Sequence, residues 1–348
     1  MNADERQNTG GEAPLVAVVT RTRNRAELLE RTLRSVAEQT HAALTHIVVN
    51  DGGQAGPIDE LVAALPDGAR RRVVRVDNAE SVGREAAVNP GLAAARELGA
   101  RYTTVLDDDD TWRPEFLATM VGRLEDRPEE IAAASGVDVV HEAVQGGAVV
   151  EKARERFAPE LKQVVLSELL IRNYVPTMSL VFRTRALEAL DGWRTDLPVL
   201  ADWDFNLRLC MLGPIGYVDE PLAAWHLRED AEGDLGNSVV VAAREHRFYE
   251  PVVRQAHLRD GDGLALPLLL GGYVDRLAGA IGQARGEQTA HVEAVKAELQ
   301  RQIGRLDARL AGVESRQEEI DRHLAKVGEQ NAFILARLDE IQRDIRGA

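Results

Sequence analysis

Tyr102-Thr103-Thr104-Val105-Leu106 is followed at once by Asp107-Asp108-Asp109-Asp110, and this passage from an apolar run to four carboxylates indicates the fold. A short apolar run is typical of a strand buried on both faces of a sheet. Similar runs occur earlier, at 15–19 and 47–49, and the second ends in the turn signal Asn50-Asp51-Gly52-Gly53. Segments of helical period separate these strands. This alternation predicts βαβ units that form a parallel sheet.

Acidic residues follow two of the predicted strands. In doubly wound sheets, ligands lie beyond the carboxyl ends of the strands, which is where Asp51 and the run Asp107–Asp110 are expected. Four neighbouring carboxylates repel one another unless a cation compensates them. Magnesium or manganese provides that compensation and also binds substrate phosphates. The acidic run therefore predicts a site for one of these two metals, and a solvated acidic turn is the alternative.

Composition narrows the class of protein. The chain has 348 residues, a formal net charge of -15 and 45% hydrophobic residues. This charge argues against nucleic-acid binding, which needs a basic surface. The single cysteine, Cys210, excludes an intrachain disulfide. The polar segment 1–12 lacks the apolar core of a signal peptide, and the most apolar stretch, 264–274, is far shorter than a membrane span of roughly 20 residues. We expect no membrane span. We expect a cytoplasmic protein, which includes one bound peripherally at the inner face of the membrane.

A heptad repeat marks the C-terminal segment. Its apolar residues fall on alternating steps of three and four, and position a recurs from 303 to 345, which makes six heptads. The apolar members are Leu299, Ile303, Leu306, Leu310, Val313, Ile320, Leu324, Val327, Ile334, Leu338, Ile341 and Ile345. This pattern predicts a coiled coil, and so a homo-oligomer, through residues 291–346; a long helix packed on its own domain is the alternative. Polar Gln317 and Asn331 interrupt position a, and the number of strands stays open.

Four segments, taken in order, resemble family 2 glycosyltransferases with the GT-A fold. They are VVTRTRNRAELL at 18–29, VVNDGG at 48–53, LDDDDTW at 106–112 and LADWDFNLRL at 200–209. Each motif alone has modest specificity, and their shared order and spacing make the resemblance strong. It covers roughly residues 14–240 and implies an α/β domain with a Rossmann-like, mostly parallel central sheet.

The predicted architecture has four parts. A flexible tail at 1–12 precedes the GT-A domain at 13–238, a helical extension at 239–285 and the coiled-coil helix at 286–348. Glycine and polar residues at 282–290 predict a weak linker before the coil.

The resemblance implies transfer of a sugar from a nucleoside diphosphate sugar to a hydroxyl of a saccharide or glycolipid acceptor. Nucleotide-sugar contacts are implied for Thr22, Asn24, Arg25, Asp51, Arg84, Asp107 and Asp108. Asp51 matches the acidic residue that receives the nucleoside base, usually a pyrimidine, which favours UDP-sugars. Val88 occupies the place of a common arginine, and Arg84, one helical turn away, is expected to substitute for it.

The same resemblance implies the remaining roles. Asp202 matches the general base, Asp109 is the best candidate for metal contact, and His226 is a candidate for an additional metal ligand. We expect Trp203 to face the acceptor. An alcohol is a poor nucleophile, so a carboxylate must take its proton as it attacks the anomeric carbon. One base opposite one leaving group predicts inversion. Asp204 does not share a helical face with Asp202, so we expect it to be a cap or structural partner.

Two other classes fit parts of the sequence. Asp107, Asp109 and Thr111 satisfy the pattern Asp-x-Asp-x-Thr of magnesium-dependent phosphatases, in which Asp107 would be the covalent nucleophile. That pattern normally follows the first strand of its domain, whereas about three βα units precede it here. A non-catalytic scaffold, with the coiled coil as its purpose, is the second alternative.

Overall fold

The computed structural model describes residues 13–145, 148–228, 243–260 and 265–347. The flexible tail predicted for 1–12 lies outside the described residues. Two parts of the predicted helical extension, 239–242 and 261–264, also lie outside them.

Strands and helices alternate through the first part of the chain, as the sequence predicts. They are β1 (Val16–Thr22), α1 (Ala26–Ala37), β2 (Leu44–Asp51), α2 (Ala55–Ala64), α3 (Asp67–Arg70), β3 (Val73–Asn78), α4 (Val88–Glu97) and β4 (Tyr102–Val105). The later elements are β5 (Thr111–Trp112), α5 (Phe116–Asp126), β6 (Ala132–Gln145), β7 (Ala148–Arg156), α6 (Leu166–Leu169), a 3-10 turn (Thr177–Ser179), β8 (Leu180–Arg183), α7 (Ala186–Leu190), α8 (Ala201–Leu212), β9 (Ile215–Leu227), α9 (Ala243–Asp260) and α10 (Ala265–Gly347).

One mixed sheet of nine strands runs through the described ranges in the order β3-β2-β1-β4-β8-β6-β9-β5, with β7 paired to β6. β1 pairs in parallel with β2 and β4, and β2 pairs in parallel with β3. β8 then joins β4 and β6 in antiparallel fashion. The α/β fold class is confirmed. The register aligns Thr22 with Asn50 and Asp51 with Asn78, so the polar ends of three parallel strands meet at one edge.

Both faces of the sheet carry an apolar core. Ala17 and Val19 of β1 belong to one core, while Val16 and Val18 belong to the other, because successive strand side chains point to opposite faces. Apolar residues of α4 and α8 pack in the first core, and those of α5 pack in the second. This three-layer arrangement holds β1 rigidly in the centre of the domain.

Gly91 permits α4 to pack closely on the sheet. A Cβ atom at this position would lie 2.4 Å from Val19 Cγ1 and 2.9 Å from Val49 Cγ2. Both distances are shorter than any normal carbon–carbon contact, so any larger residue would push α4 away from β1 and β2. The loop before α4 lies at the edge where the acidic residues gather, so this contact also sets the position of Arg84 and Glu85.

Two predictions about chain organisation need correction or extension. The weak linker predicted at 282–290 is wrong, because α10 runs through this segment without interruption. Gly282 and Gly286 cost about 1 kcal/mol each relative to alanine, and neighbouring helix formers tolerate that. The strand predicted at 137–141 extends to 14 residues as β6, since β7, β8 and β9 all pair with it.

The chain divides into two compact units, Met1–Asp275 and Arg276–Ala348. In the second unit the apolar heptad residues with described side chains expose about half or more of their surface: Leu299, Ile303, Leu306, Leu310, Val313, Ile320, Leu324, Val327, Ile334 and Leu338. The side chains of Ile341 and Ile345 lie outside the described ones. The predicted domain boundaries stay predictions.

Among the described residues, no helix combines the length and the apolar character that crossing a membrane requires.

Candidate active site

A cleft of about 710 Å³ opens at the carboxyl ends of β1, β2 and β4, within the size range of small-molecule sites. The predicted site residues that line it are Thr22, Arg25, Asp51, Arg84, Asp107, Asp108, Asp109 and Asp202. These residues come from positions as distant as β1 and α8. The topology therefore brings most of the predicted constellation into one cleft, whereas Asn24, Trp203 and His226 are not among its lining residues.

The residues Asp107–Asp110, which we call the acidic cluster, are held by arginines and hydroxyls. Arg21 pairs with Asp107, and the Thr22 hydroxyl donates a hydrogen bond of 2.7 Å to Asp108. Arg25 bridges Asp108 and Asp109, with distances of 2.8 and 3.0 Å. The positive charge that four carboxylates require is thus supplied by residues of β1 and the loop after it.

Arg228 contributes a further cation that the sequence motifs do not reveal. Its side chain is fully buried and pairs with Asp109, and it also contacts Glu142 of β6 at 3.0 Å. The register of β6 with β9, which aligns Val140 with His226, brings these distant residues to the acidic cluster. No local pattern in the sequence signals this meeting, because it depends on strand pairing.

Protonation differs sharply within the acidic cluster. Burial raises the pKa of Asp108 to about 6, although Arg25 opposes the shift. Burial also raises the pKa of Asp110, together with the charges of Asp109 and Asp107. Asp109 behaves in the opposite way: burial favours its neutral form, but Arg25 and Arg228 outweigh this and lower its pKa. Asp109 is therefore held in its charged form more firmly than Asp108 or Asp110.

The acidic cluster offers a fitting set of metal ligands. Carboxylate oxygens of Asp107, Asp109 and Asp110 lie within 4.8 Å of one another. Oxygen donors of this kind suit magnesium or manganese. Asp110 was not among the predicted ligands, although it is adjacent to them in sequence. Its backbone carbonyl accepts a hydrogen bond from Thr32 in α1, which fixes the loop that carries it.

His226 lies next to the acidic cluster with both ring nitrogens engaged. Nδ1 is 2.7 Å from Glu142, and Nε2 is 2.8 Å from the Thr111 hydroxyl. Burial lowers the pKa of His226, while Glu142 opposes that shift. If Nδ1 donates to Glu142, Nε2 carries the lone pair, which is the arrangement of metal-binding histidines. The metal role of His226 stays a prediction, and the cluster of mutually close ligands consists of aspartates.

The predicted base-binding edge is built around Asp51. Its carboxylate accepts hydrogen bonds from Asn78 at 2.9 Å, from the Ser81 hydroxyl at 2.6 Å and from the Val82 amide at 2.9 Å. Burial favours the neutral form, but these hydrogen bonds outweigh it and lower the pKa of Asp51. Asp51 thus ties the end of β2 to the loop after β3 while it lines the cleft.

Asn24 holds the loop after β1. Its side-chain oxygen accepts a hydrogen bond of 2.8 Å from the Gln54 amide, and its backbone has φ of 54°, a conformation that asparagine tolerates better than most residues. The contact of Asn24 with a nucleotide, which the sequence predicts, stays a prediction.

Asp202 lies in the first turn of α8 and lines the cleft. Leu200, which precedes the helix, has φ of 66°, and such left-handed conformations of non-glycine residues are costly and cluster at functional sites. Neutral donors hold the Asp202 carboxylate: Asn173 at 2.8 Å and Thr177 at 3.3 Å. Burial raises the pKa of Asp202, although the Trp203 backbone amide opposes the shift. A carboxylate with a raised pKa accepts a proton more readily.

The predicted role of Trp203 at the acceptor is wrong. Trp203 is 2% exposed and lies in the apolar core, where its Nε1 donates to the Leu169 carbonyl at 2.7 Å. The Arg254 guanidinium packs over its ring at 4.9 Å. Trp193 and Trp225 line the cleft instead. The expected structural role of Asp204 agrees with its fully buried contacts to Arg208 and His257.

Comparison with known proteins agrees with this fold. The fold is similar to that of a GT-A glycosyltransferase. A mannosyltransferase, PcManGT from Pyrobaculum calidifontis, solved with GDP-Man and Mn2+, is similar with a TM-score of 0.55 and 20% identity, over 83% of this chain and 81% of that chain. Residues 17–185 match "Glycosyl transferase family 2". They form a domain that belongs to this family.

Two curated relatives extend the comparison. The succinoglycan biosynthesis protein ExoO of Rhizobium meliloti is 35% identical over 129 residues, which are 37% of this chain and 35% of that protein. An uncharacterized glycosyltransferase of Nostoc, alr2836, is 26% identical over 223 residues, 61% of this chain and 64% of that protein. The chain thus spans about one third of the first relative and under two thirds of the second.

Proposed function

We propose that this protein is an inverting, metal-dependent glycosyltransferase that moves a sugar from a nucleoside diphosphate sugar to a hydroxyl acceptor. One observation carries the proposal. Asp202, whose carboxylate accepts a hydrogen bond from the neutral side chain of Asn173, lines the same cleft as the acidic cluster. Glycosyl transfer with inversion needs a base for the acceptor and a site for the departing diphosphate. The family of residues 17–185 supports this reaction over a phosphatase with Asp107 as nucleophile and over a non-catalytic scaffold.

Asp202 is the proposed general base. It takes the proton of the acceptor hydroxyl as that oxygen attacks the anomeric carbon. Asn173 and Thr177 both donate to Oδ2 and so fix the orientation of the carboxylate. Because these donors are neutral, they leave the basicity of Asp202 largely intact. An arginine in their place would lower the pKa and weaken the base.

Asp107, Asp109 and Asp110 are the proposed metal ligands. A divalent ion at these carboxylates supplies positive charge for the leaving diphosphate. Arg25 and Arg228, which pair with Asp109, are cations at the same place, and Arg25 lines the cleft where phosphate oxygens would lie. Manganese is the first ion to test, since the similar mannosyltransferase was solved with Mn2+.

The proposed donor is a nucleoside diphosphate hexose whose base lies at Asp51. UDP-sugars are the first candidates from the sequence motifs, and GDP-mannose is the second, because the similar mannosyltransferase was solved with it. The proposed acceptor is a growing polysaccharide or glycolipid. The name of the relative ExoO, a succinoglycan biosynthesis protein, supports this class of acceptor.

The exposed seam of α10 is proposed to bind further copies of the same chain. Its heptad residues are about half exposed or more, and such a seam is stable in water when other helices cover it. A second copy of the chain carries the same heptad repeat. In a parallel, in-register pair, each apolar position therefore faces its own equivalent, and so do the polar residues Gln317 and Asn331. The resulting oligomer would present several active sites to one repeating acceptor and raise their effective concentration. Truncation after residue 290 should yield monomers that process a polymeric acceptor more slowly. An unchanged oligomeric state together with an unchanged rate would refute the idea.

The decisive experiment is a donor screen with and without manganese on the wild type and Asp109→Ala. Metal-dependent binding or slow hydrolysis of one donor, lost in Asp109→Ala and kept in the exposed control Asp126→Ala, supports the transferase. If no donor responds while simple phosphoesters release phosphate, the phosphatase alternative replaces it. If neither substrate class turns over, the scaffold is favoured.

A further inference from the structure

Glu85 is a buried acid in the cleft without a hydrogen-bond donor. Its side chain is 9% exposed, and the nearest cations are Arg84 Nε at 3.8 Å and Arg21 Nη2 at 4.0 Å. Both distances exceed hydrogen-bonding range. Within the described part of the chain, no group donates a hydrogen bond to this carboxylate. Its acceptor capacity is therefore available to whatever occupies the cleft.

Two hydrogen-bond donors that line the same cleft also lack a hydrogen-bond partner in the described ranges. Arg84 Nε and Trp193 Nε1 are buried, and neither has a hydrogen-bond acceptor among the described residues. Each such group costs about 1–3 kcal/mol while it stays unpaired. Native structures leave few buried polar groups unsatisfied, so each needs an explanation. A polar ligand that pairs all of them at once provides one.

Hydrogen bonds of its backbone hold Trp193 in place. Its amide donates to the Asn89 side chain at 2.8 Å, and its carbonyl accepts from the same side chain at 2.8 Å. Gly192, immediately before it, has φ of +81°, and a Cβ atom there would lie 2.5 Å from the Asn89 oxygen. These contacts fix the backbone of Trp193, whose side chain lines the cleft.

Glu85 shares the cleft with both parts of the proposed reaction site, the general base and the acidic cluster. Burial raises the pKa of Glu85 to about 7, Arg21 opposes the shift, and the negative charges of Asp202 and Asp107 add to it. In the proposed reaction the base must approach the anomeric carbon, and the cluster must approach the diphosphate. The sugar ring of the donor lies between these two.

We propose that Arg84, Glu85 and Trp193 form the subsite that selects the donor sugar. Glu85 accepts hydrogen bonds from hydroxyls of a neutral hexose, while Arg84 and Trp193 donate to its oxygens. Glu85 offers acceptor oxygens while Arg84 and Trp193 offer N–H donors, and this combination suits an uncharged sugar with several free hydroxyls. This assignment rests on the proposed glycosyl transfer. It adds that the protein recognises the hydroxyl groups of the donor sugar.

The test separates sugar recognition from nucleotide recognition. Titration calorimetry with manganese would measure the affinities of the nucleoside diphosphate alone and of its hexose conjugate, for the wild type, Glu85→Gln and Trp193→Phe. Glu85→Gln should weaken binding of the conjugate about 10–100-fold and change binding of the bare diphosphate less than about twofold. Trp193→Phe should weaken the conjugate about 2–10-fold, again selectively. Deoxyhexose conjugates should bind the wild type more weakly than the parent, and Glu85→Gln should narrow that difference.

Three outcomes count against the subsite, and they are distinguishable. Equal losses for the diphosphate and its conjugate in Glu85→Gln mean that Glu85 merely holds Arg21, which overturns the subsite alone. Unchanged affinity for the conjugate in both folded variants also overturns it alone. A wild type that transfers sugar from no donor overturns the proposed function, and the subsite with it. Trp193→Phe provides an independent reading should Glu85→Gln fail to fold.

Discussion

The two groups of acids in the cleft differ in what surrounds them. Arg21, Arg25 and Arg228 pair directly with the acidic cluster. Asp202, in contrast, is held by the neutral side chains of Asn173 and Thr177. The first arrangement keeps Asp109 charged and suits a place where cations and phosphates exchange. The second raises the pKa of a carboxylate and suits a group that takes up a proton.

Asp202→Asn gives the largest expected effect and tests the second arrangement. An amide cannot take the acceptor proton, so kcat should fall about 10²–10⁴-fold, while affinity for the donor changes little. In the wild type the base works only when it is deprotonated. Because its pKa is raised, kcat/KM should fall as the pH drops through that raised value. Steady-state kinetics from pH 4 to 9 measure both quantities.

Asp126→Asn, an exposed acid at the end of α5, is the matched control and should leave kcat unchanged. A residual pH profile in Asp202→Asn identical to that of the wild type would assign the titration to another group and remove Asp202 from the role of base.

Arg228→Gln tests the first arrangement. Removal of this fully buried cation leaves Asp109 and Glu142 with less compensation, and breaking a buried pair costs about 3–5 kcal/mol. The free energy of unfolding without metal should fall by that amount. Manganese should restore more stability to this variant than to the wild type, because the ion supplies the missing charge only in the folded state. Denaturation with and without manganese measures the difference.

Arg34→Gln is the matched control for Arg228→Gln. Arg34 pairs with Glu30 on the exposed face of α1, and such pairs contribute about 0.3–0.5 kcal/mol. Equal stabilisation of wild type and Arg228→Gln by manganese would mean that metal and arginine do not share the acidic cluster.

Glu85→Gln has a smaller effect on stability, and the size of that effect depends on pH. The folded protein raises the pKa of Glu85 from 4.5 to about 7. The neutral form is therefore favoured in the fold, and the stability it contributes is complete below pH 4.5 and is lost as the pH rises through 7. At pH 8 the variant should exceed the wild type by about 1–3 kcal/mol. At pH 4 the two should agree. A difference that is constant with pH would show that Glu85 does not titrate in this way.

The sequence predicts the parallel half of the sheet well and the cleft in part. Apolar strands and helical period are local signals, and they place β1 to β4 and the acidic residues at their ends. The partners Glu142 and Arg228 escape prediction because the pairing of β6 with β9 brings them together over a long distance in sequence. Glu85 carries a weak signal, as it lies beside Arg84 in a segment that departs from the family pattern. Gly282 and Gly286 predict a break in α10 that the surrounding helix formers override.

Trp203→Phe, with the smallest expected effect on the kinetics, examines why the tryptophan prediction failed. A tryptophan next to a predicted base has the right sequence position for an acceptor platform, but the face of α8 that carries it packs into the core. Its indole N–H already has an acceptor, the Leu169 carbonyl, whereas that of Trp193 has none among the described residues. Loss of the N–H should cost about 1–3 kcal/mol of stability and leave the KM values for donor and acceptor within about twofold. Trp193 is also buried in this core, but Trp193→Phe removes no described hydrogen bond of the free protein. It should weaken donor binding and lower stability less than Trp203→Phe does. An increased acceptor KM in Trp203→Phe would contradict its assignment to the core.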